Sequence, residues 1–268
     1  MTPDYLQRFG GIARLYGQPA LTQFAAAHVC VVGIGGVGSW AVEALARSGI
    51  GALTLIDLDD VCITNSNRQL HALQSTVGEL KVEVMAARVR QINPDCRVTT
   101  VDDFVTADNL AEHIHDGFDY VVDAIDSLKA KVALIAYCRR RKLPIIVAGG
   151  AGGQLDPTLV QVADLARTTM DPLASKVRAD LRRLHGFTRE PNRKFGVECV
   201  YSTEQLRYPD GAGGVCHAKA ASDGNLKMDC ASGFGAVSVV TGTFGLVAAS
   251  RVLTKIAERG ARALRQPV

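Results

Sequence analysis

The stretch Gly33-Ile34-Gly35-Gly36-Val37-Gly38-Ser39 constrains this chain more than any other. It fits G-x-G-x-x-G, follows the apolar run Val29-Cys30-Val31-Val32 and opens a helical pattern from Trp40 to Ala46. A second apolar run, Leu53-Thr54-Leu55-Ile56, ends in Asp57. Strand, glycine turn, helix, strand and terminal acid are the layout of a dinucleotide-binding βαβ unit. Gly33, Gly35, Gly36 and Gly38 let backbone approach phosphate, and the helix N-terminus supplies N–H donors and partial positive charge. Asp57 stands where a carboxylate grips a ribose hydroxyl.

Taken alone, this unit reads as a site for NAD. The residues that follow change that reading: Asp59, then Asn65-Ser66-Asn67-Arg68-Gln69, then Lys81. Hydride transfer has no need of arginine and lysine beyond the ribose. Chemistry on a nucleoside triphosphate does, because charge develops on phosphate oxygens. Asp123 and Asp126, in Tyr120-Val121-Val122-Asp123-Ala124-Ile125-Asp126-Ser127, close a later strand. In an open α/β sheet all these groups converge on one crevice. The set suits ATP with Mg²⁺, which favours one or two carboxylates plus phosphate oxygens; Asp126 is the metal candidate. Singly, Arg68 and Lys81 would read as solvated surface charges, and Asp123 as a helix cap. The ordered set is what favours function.

Strands are expected at 28–33, 53–58, 97–102, 119–124 and 144–148, and helices at 37–48, 77–92 and 129–142. The alternation predicts a Rossmann-like α/β fold with a doubly wound, mostly parallel sheet. At 268 residues the chain fits one domain. Its parts are an N-terminal helical arm (1–27), a nucleotide-binding core (28–153) and a C-terminal α/β extension for substrate binding and dimerisation (154–268). Gly149-Gly150-Ala151-Gly152-Gly153 reads as a flexible loop. Residues 167–194 are strongly basic, with Arg178, Arg182, Arg183, Arg189, Arg193 and Lys194 as candidate contacts to a nucleic-acid backbone. The bland alternative is a solvated helix face. The run 234–250 falls short of the roughly 20 apolar residues of a membrane span. A helix in the core or at a dimer interface is expected there. Seven cysteines without a C-x-x-C, and no signal peptide, lead to the expectation of free thiols in a reducing cytoplasm.

The motifs Gly33–Ser39, Asp57-Leu58-Asp59, Asn65–Gln69, Lys81 and Asp123–Asp126 resemble, in order, those of the E1-like (ThiF- and MoeB-type) ATP-dependent adenylating enzymes. The resemblance implies that a carboxylate oxygen attacks the α-phosphate of ATP and pyrophosphate leaves. It places Asp57 and Asp59 at the ribose and Asn67, Arg68 and Lys81 at the phosphates. It also implies a homodimer in which an N-terminal arginine enters the neighbour's site; Arg8 is the first candidate and Arg14 the second. Paired C-x-x-C zinc motifs common in such proteins are missing, so no zinc is expected. Arg8-Phe9-Gly10-Gly11, Gly149–Gln154 and Met228–Gly235 are instead similar to the tRNA threonylcarbamoyladenosine dehydratase subgroup along almost the whole chain. That implies ATP-dependent dehydration, by cyclisation, of the modified adenosine at position 37 in the anticodon loop of tRNA. Further candidates carried by the resemblance are a monovalent cation, a sulfur-transfer partner of a cysteine desulfurase, and Cys230 as a reactive thiol. A buried structural role is favoured for that cysteine. Three alternatives stand beside this one: an adenylyltransferase for the C-terminal Gly-Gly of a ubiquitin-like sulfur carrier, an NAD-dependent oxidoreductase, and a non-catalytic nucleotide sensor.

Overall fold

The structure is a computed structural model that describes residues 1–210, 212–217 and 235–263, the last three as backbone only. The chain begins with two helices, α1 (Pro3–Tyr16) and α2 (Gln18–Ala26). Thr2 caps α1 by accepting from the Tyr5 N–H, with proline at the first helical position. There follow β1 (His28–Val32), α3 (Gly38–Arg47), β2 (Ala52–Ile56), α4 (Lys81–Ile92), β3 (Arg97–Val101), α5 (Leu110–His113), β4 (Tyr120–Asp123), α6 (Leu128–Arg140) and β5 (Ile145–Ala148). The second half adds β6 (Val160–Asp164), α7 (Pro172–Leu184), β7 (Glu198–Ser202), the hairpin β8 (Tyr208–Pro209) and β9 (Val215–Cys216), and α8 (Ser238–Ala263).

Seven strands form one sheet in the order β3-β2-β1-β4-β5-β7-β6. All neighbours are parallel except β6, which runs antiparallel to β7 at the edge. The central strands β2, β4 and β5 are buried at every position, as strands covered on both faces must be. The edge strand β3, Arg-Val-Thr-Thr-Val, stays partly exposed. Helices cover both faces. One core joins α2, α3, α4 and α8; the other joins α5, α6 and α7. Helix 77–92 starts four residues late, because Gly78 has φ of 89° and Leu80 bridges to Asp60. That places Lys81 at the first helical position.

One expectation changes. The glycine loop after β5 is tied down: Gly149 N–H bonds to Val200 O, Gly150 N–H to Asp171 Oδ2, and Gly153 N–H to Gly235 O. The expected C-terminal α/β extension supplies β6 and β7, which lengthen the sheet. The apolar run after 234 is largely α8. It passes the length and composition test for a membrane span, but Val240, Phe244, Ala248, Ala249, Val252 and Ile256 are buried in the core beside α3. It is a core helix.

Close approach of α8 to α3 depends on Gly245, where a Cβ would meet the Val37 carbonyl, Trp40 Cβ and, at 2.9 Å, the Ala41 nitrogen. Gly245→Ala should therefore lower stability by about 1–3 kcal/mol, the usual range for overpacking. Leu246→Ala, half-exposed on the same helix, should stay within about 0.5 kcal/mol. Urea denaturation of the two variants checks this; equal midpoints would refute the tight crossing.

Candidate active site

β1 delivers the glycine loop to the point where strand order reverses, between β1 and β4, which is where open α/β sheets bind ligands. Gly33 has φ of 87°, and a Cβ there would lie 2.9 Å from the Ala124 carbonyl group. A Cβ on Gly38 would strike the Gly33 carbonyl. These two glycines thus press the loop against the exit of β4. Gly35 and Gly36 are roomier, with Gln69 Nε2 3.8 Å and Arg68 Cγ 3.2 Å from their virtual Cβ positions. Arg68 and Gln69 therefore overhang the part of the loop left for a ligand.

Asp57, at the end of β2, accepts from the Ile34 N–H at 2.6 Å and from the Asp59 N–H at 2.9 Å. Burial pushes its carboxyl up, against the pull of Lys81 and these two donors. Lys81 Nζ lies 2.7 Å from Asp59 Oδ2 and 3.9 Å from Asp57 Oδ1, with the residue only 5% exposed. A buried ammonium at the positive end of a helix is doubly unfavourable. The two aspartates compensate it. Asp59 is mostly exposed, so an incoming phosphate could take its place on the ammonium.

Arg68 is held through its backbone: its carbonyl accepts from Trp40 Nε1 at 3.1 Å and from Thr241 Oγ1 at 3.4 Å. Its guanidinium donates to Thr64 O and Asn67 Oδ1. Asn67 Nδ2 donates to Ala236 O, so the lead-in to α8 meets the site. Trp40 and Thr241 were not singled out from the sequence as part of this site. Neither carries a local signal for the role, since both act through a contact across the fold. Asn65 is buried and accepts from the Cys62 N–H, fixing the turn that carries Asn67 and Arg68.

The two acids after β4 part company. Asp126 is exposed and has no hydrogen bond or ion pair among the described residues. Asp123, expected to line the nucleotide, is fully buried and bonded to Lys131 Nζ at 2.8 Å and the Ile125 N–H at 3.0 Å. Burial pushes its carboxyl up while Lys131 pulls it down. Its bond to the Ile125 N–H holds the loop that carries Asp126, and its buried Oδ2 has no partner among the described residues. Lys131 is itself 1% exposed, and Asp171, the α7 cap that holds Gly150, lies within its electrostatic reach.

The basic candidates also divide. Arg178 donates to Thr168 Oγ1, and Arg182 donates to Thr188 O and stacks over the Phe195 ring. These two are internal braces, because their apolar stems and head groups pack against the α7 region. Arg183, Arg189, Arg193 and Lys194 are exposed. Arg8 lines a cavity of about 340 Å³ with Arg47, Arg88, Gln91 and Ile92. Those residues are the C-terminal ends of α3 and α4, which start at the crevice and run away from it. Arg8 thus sits at the opposite edge of the sheet from its own chain's crevice. Arg14 is exposed on the same helix, and Cys230 lies outside the described residues.

His71, 1% exposed, has no partner for either ring nitrogen among the described residues. Burial, reinforced by the Lys81 charge, lowers its pKa from 6.5 to about 4. The unfolded chain takes up this proton near 6.5, so the stability of the neutral, buried ring is present above that pH and lost as pH falls toward 4. Between pH 7 and 5 the native protein should lose about 2 kcal/mol more than His71→Leu does. Urea denaturation at both pH values measures it; parallel losses would sink the assignment.

With this geometry in place, the chain was compared with known proteins. It is 62% identical over 256 residues to the tRNA threonylcarbamoyladenosine dehydratase of Escherichia coli K12, covering 96% of each chain. It is 53% identical over 256 residues to the protein of that name from Haemophilus influenzae, covering 96% of this chain and 95% of that one. The crystal structure of the Escherichia coli enzyme in complex with ATP superimposes with a TM-score of 0.87 at 57% identity, over 97% of this chain and 98% of that one. The ThiF family profile matches residues 10–267. The chain belongs to the ThiF family.

Proposed function

We propose that the protein uses ATP to dehydrate the threonylcarbamoyladenosine of tRNA to its cyclic form. The carboxylate oxygen of the modified base attacks the α-phosphate, and pyrophosphate leaves. An atom of the same modified base then attacks the activated carbonyl and AMP leaves, so the net loss from the base is one water. No enzyme nucleophile is required, because both reacting groups are held in one substrate. The observation that carries this reading is the buried Lys81 between Asp57 and Asp59, with Asp57 tied to the glycine loop through the Ile34 N–H. It stands in a chain whose likeness to the dehydratases runs end to end.

In this reading Asp57 and Asp59 receive the ribose side, and Lys81, Arg68 and Asn67 neutralise phosphate charge as it develops. Asp126 suits Mg²⁺: it is an exposed carboxylate free of protein partners among the described residues, beside a phosphate-binding loop. The ion would offset charge on the phosphate oxygens. Arg8 faces away from its own crevice, which supports a homodimer in which it serves the partner's site. Cytoplasmic residence fits Cys30, Cys96, Cys138 and Cys199, which are free thiols buried in the fold.

Incubation with ATP, Mg²⁺ and tRNA carrying the modified base should yield a nucleoside lighter by one water, seen by mass spectrometry only when ATP is present. Asp126→Ala should remove this turnover, and Lys81→Ala and Arg68→Ala should each slow it by roughly 10²-fold or more. Unchanged nucleoside mass, with adenylation of a small Gly-Gly protein instead, would make the sulfur-carrier reading the right one.

Mixing Arg8→Ala with Asp126→Ala subunits tests the shared site. One site of the mixed dimer loses both groups and the other keeps both, so activity should partly return. No recovery above either single-variant dimer would exclude an arginine supplied by the partner.

A further inference from the structure

The nucleotide crevice opens at the C-terminal edge of the parallel strands. A second cavity, of about 670 Å³, opens at their N-terminal edge, over the starts of β4, β5 and β7. Its walls carry Arg139 and Lys142 from the end of α6, Lys194 from the segment after α7, and Arg251, Lys255 and Arg259 from α8. Among the described residues, the only acids lining it are Asp164 and Glu198. Asp164 is occupied by the N–H groups of Ala166, Phe195 and Gly196. Glu198 is paired with Arg251 at 2.6 Å. Arg259 donates to Asp119 O and lies over the Tyr120 ring, while Lys255 stands 3.4 Å from Glu258. Arg139, Lys142 and Lys194 have no side-chain hydrogen bond or ion pair among the described residues. Lys142 has φ of 57°, in the left-handed region where glycine is the low-cost choice; α6 ends there on a cation instead.

We propose that this groove binds the phosphodiester backbone of the tRNA substrate, away from the base that enters the nucleotide crevice. The proposal rests on the dehydratase reading above. Cations from three separate segments suit phosphates spaced along a strand better than one small anion. A protein partner fits less well, because interfaces between proteins are anchored by apolar and aromatic side chains. Here Tyr120, Leu143, Ile145 and Val197 are buried beneath the groove. Lys194 also joins it to the exposed Arg189 and Arg193, so the positive surface continues toward α7. A five-residue strand spans about 17 Å, so the groove meets phosphates at least that far from the reacting base.

The test compares Arg139→Glu/Lys142→Glu with a charge-matched control, Arg90→Glu/Arg97→Glu, whose side chains are exposed outside the groove. Filter binding of full-length tRNA at several salt concentrations is read beside binding of ATP. The groove variant should weaken tRNA binding at least tenfold and reduce the salt slope by about 2, leaving ATP binding as in the native protein. Lys194→Glu/Lys255→Glu, on the other walls, should do the same. Unchanged tRNA affinity in both groove variants would overturn the proposal. So would equal losses in the control. If the native protein binds tRNA but never dehydrates its modified base, the functional reading fails while the groove stands.

Discussion

The site depends on one close approach, that of the glycine loop after β1 to the backbone leaving β4. Gly33 and Ala124 touch where only a residue without a side chain fits. That contact sets the distance between a phosphate-binding loop and the loop that carries Asp126. It exists because β1 and β4 are neighbours in the sheet although far apart in sequence. Any change that widened this gap would displace the phosphate donors relative to the carboxylate opposite them.

Around that contact, charge is stored rather than merely displayed. Lys81 and Lys131 are both buried lysines, each facing aspartates. Their settings differ. Lys131 and Asp123 are sealed from water together, so they are a fixed brace. Lys81 has one sheltered partner, Asp57, and one exposed partner, Asp59. Only the second kind of pair can exchange its anion for a phosphate without stranding a buried charge.

Much of this was legible in the chain. The glycine spacing, the acid after the second strand and the order of Arg68 and Lys81 led directly to the parallel sheet and its crevice. The strands matched to within two residues because each is a short run of β-formers between clear breaks, apolar in all but the edge strand β3. Four things were hidden. β6 and β7 flank the basic stretch 167–194, and nothing local in either shows that they pair with each other and extend the parallel sheet. Asp123 and Asp126 both stand among the candidate site residues, yet one points into the core and the other into solvent, a difference set by Lys131 of α6 rather than by local pattern. Trp40 and Thr241 support Arg68 across the fold, and such support leaves no periodic signal. The glycine loop at 149–153 was misread as flexible because its anchors, Asp171 and Val200, lie well beyond it in the chain.

Thr241 and Ala236 bring α8 and its lead-in to the turn that carries Asn67 and Arg68. During synthesis the glycine loop, Arg68 and Lys81 all leave the ribosome long before α8 does. Until α8 arrives, the apolar face of α3 that it covers is bare, and the Arg68 carbonyl lacks its contact from Thr241. A nascent chain can thus make its central strands early and still have an unfinished crevice. Nucleotide binding becomes a property of the completed chain, and a product that ends before α8 would display that bare face to whatever holds unfinished proteins.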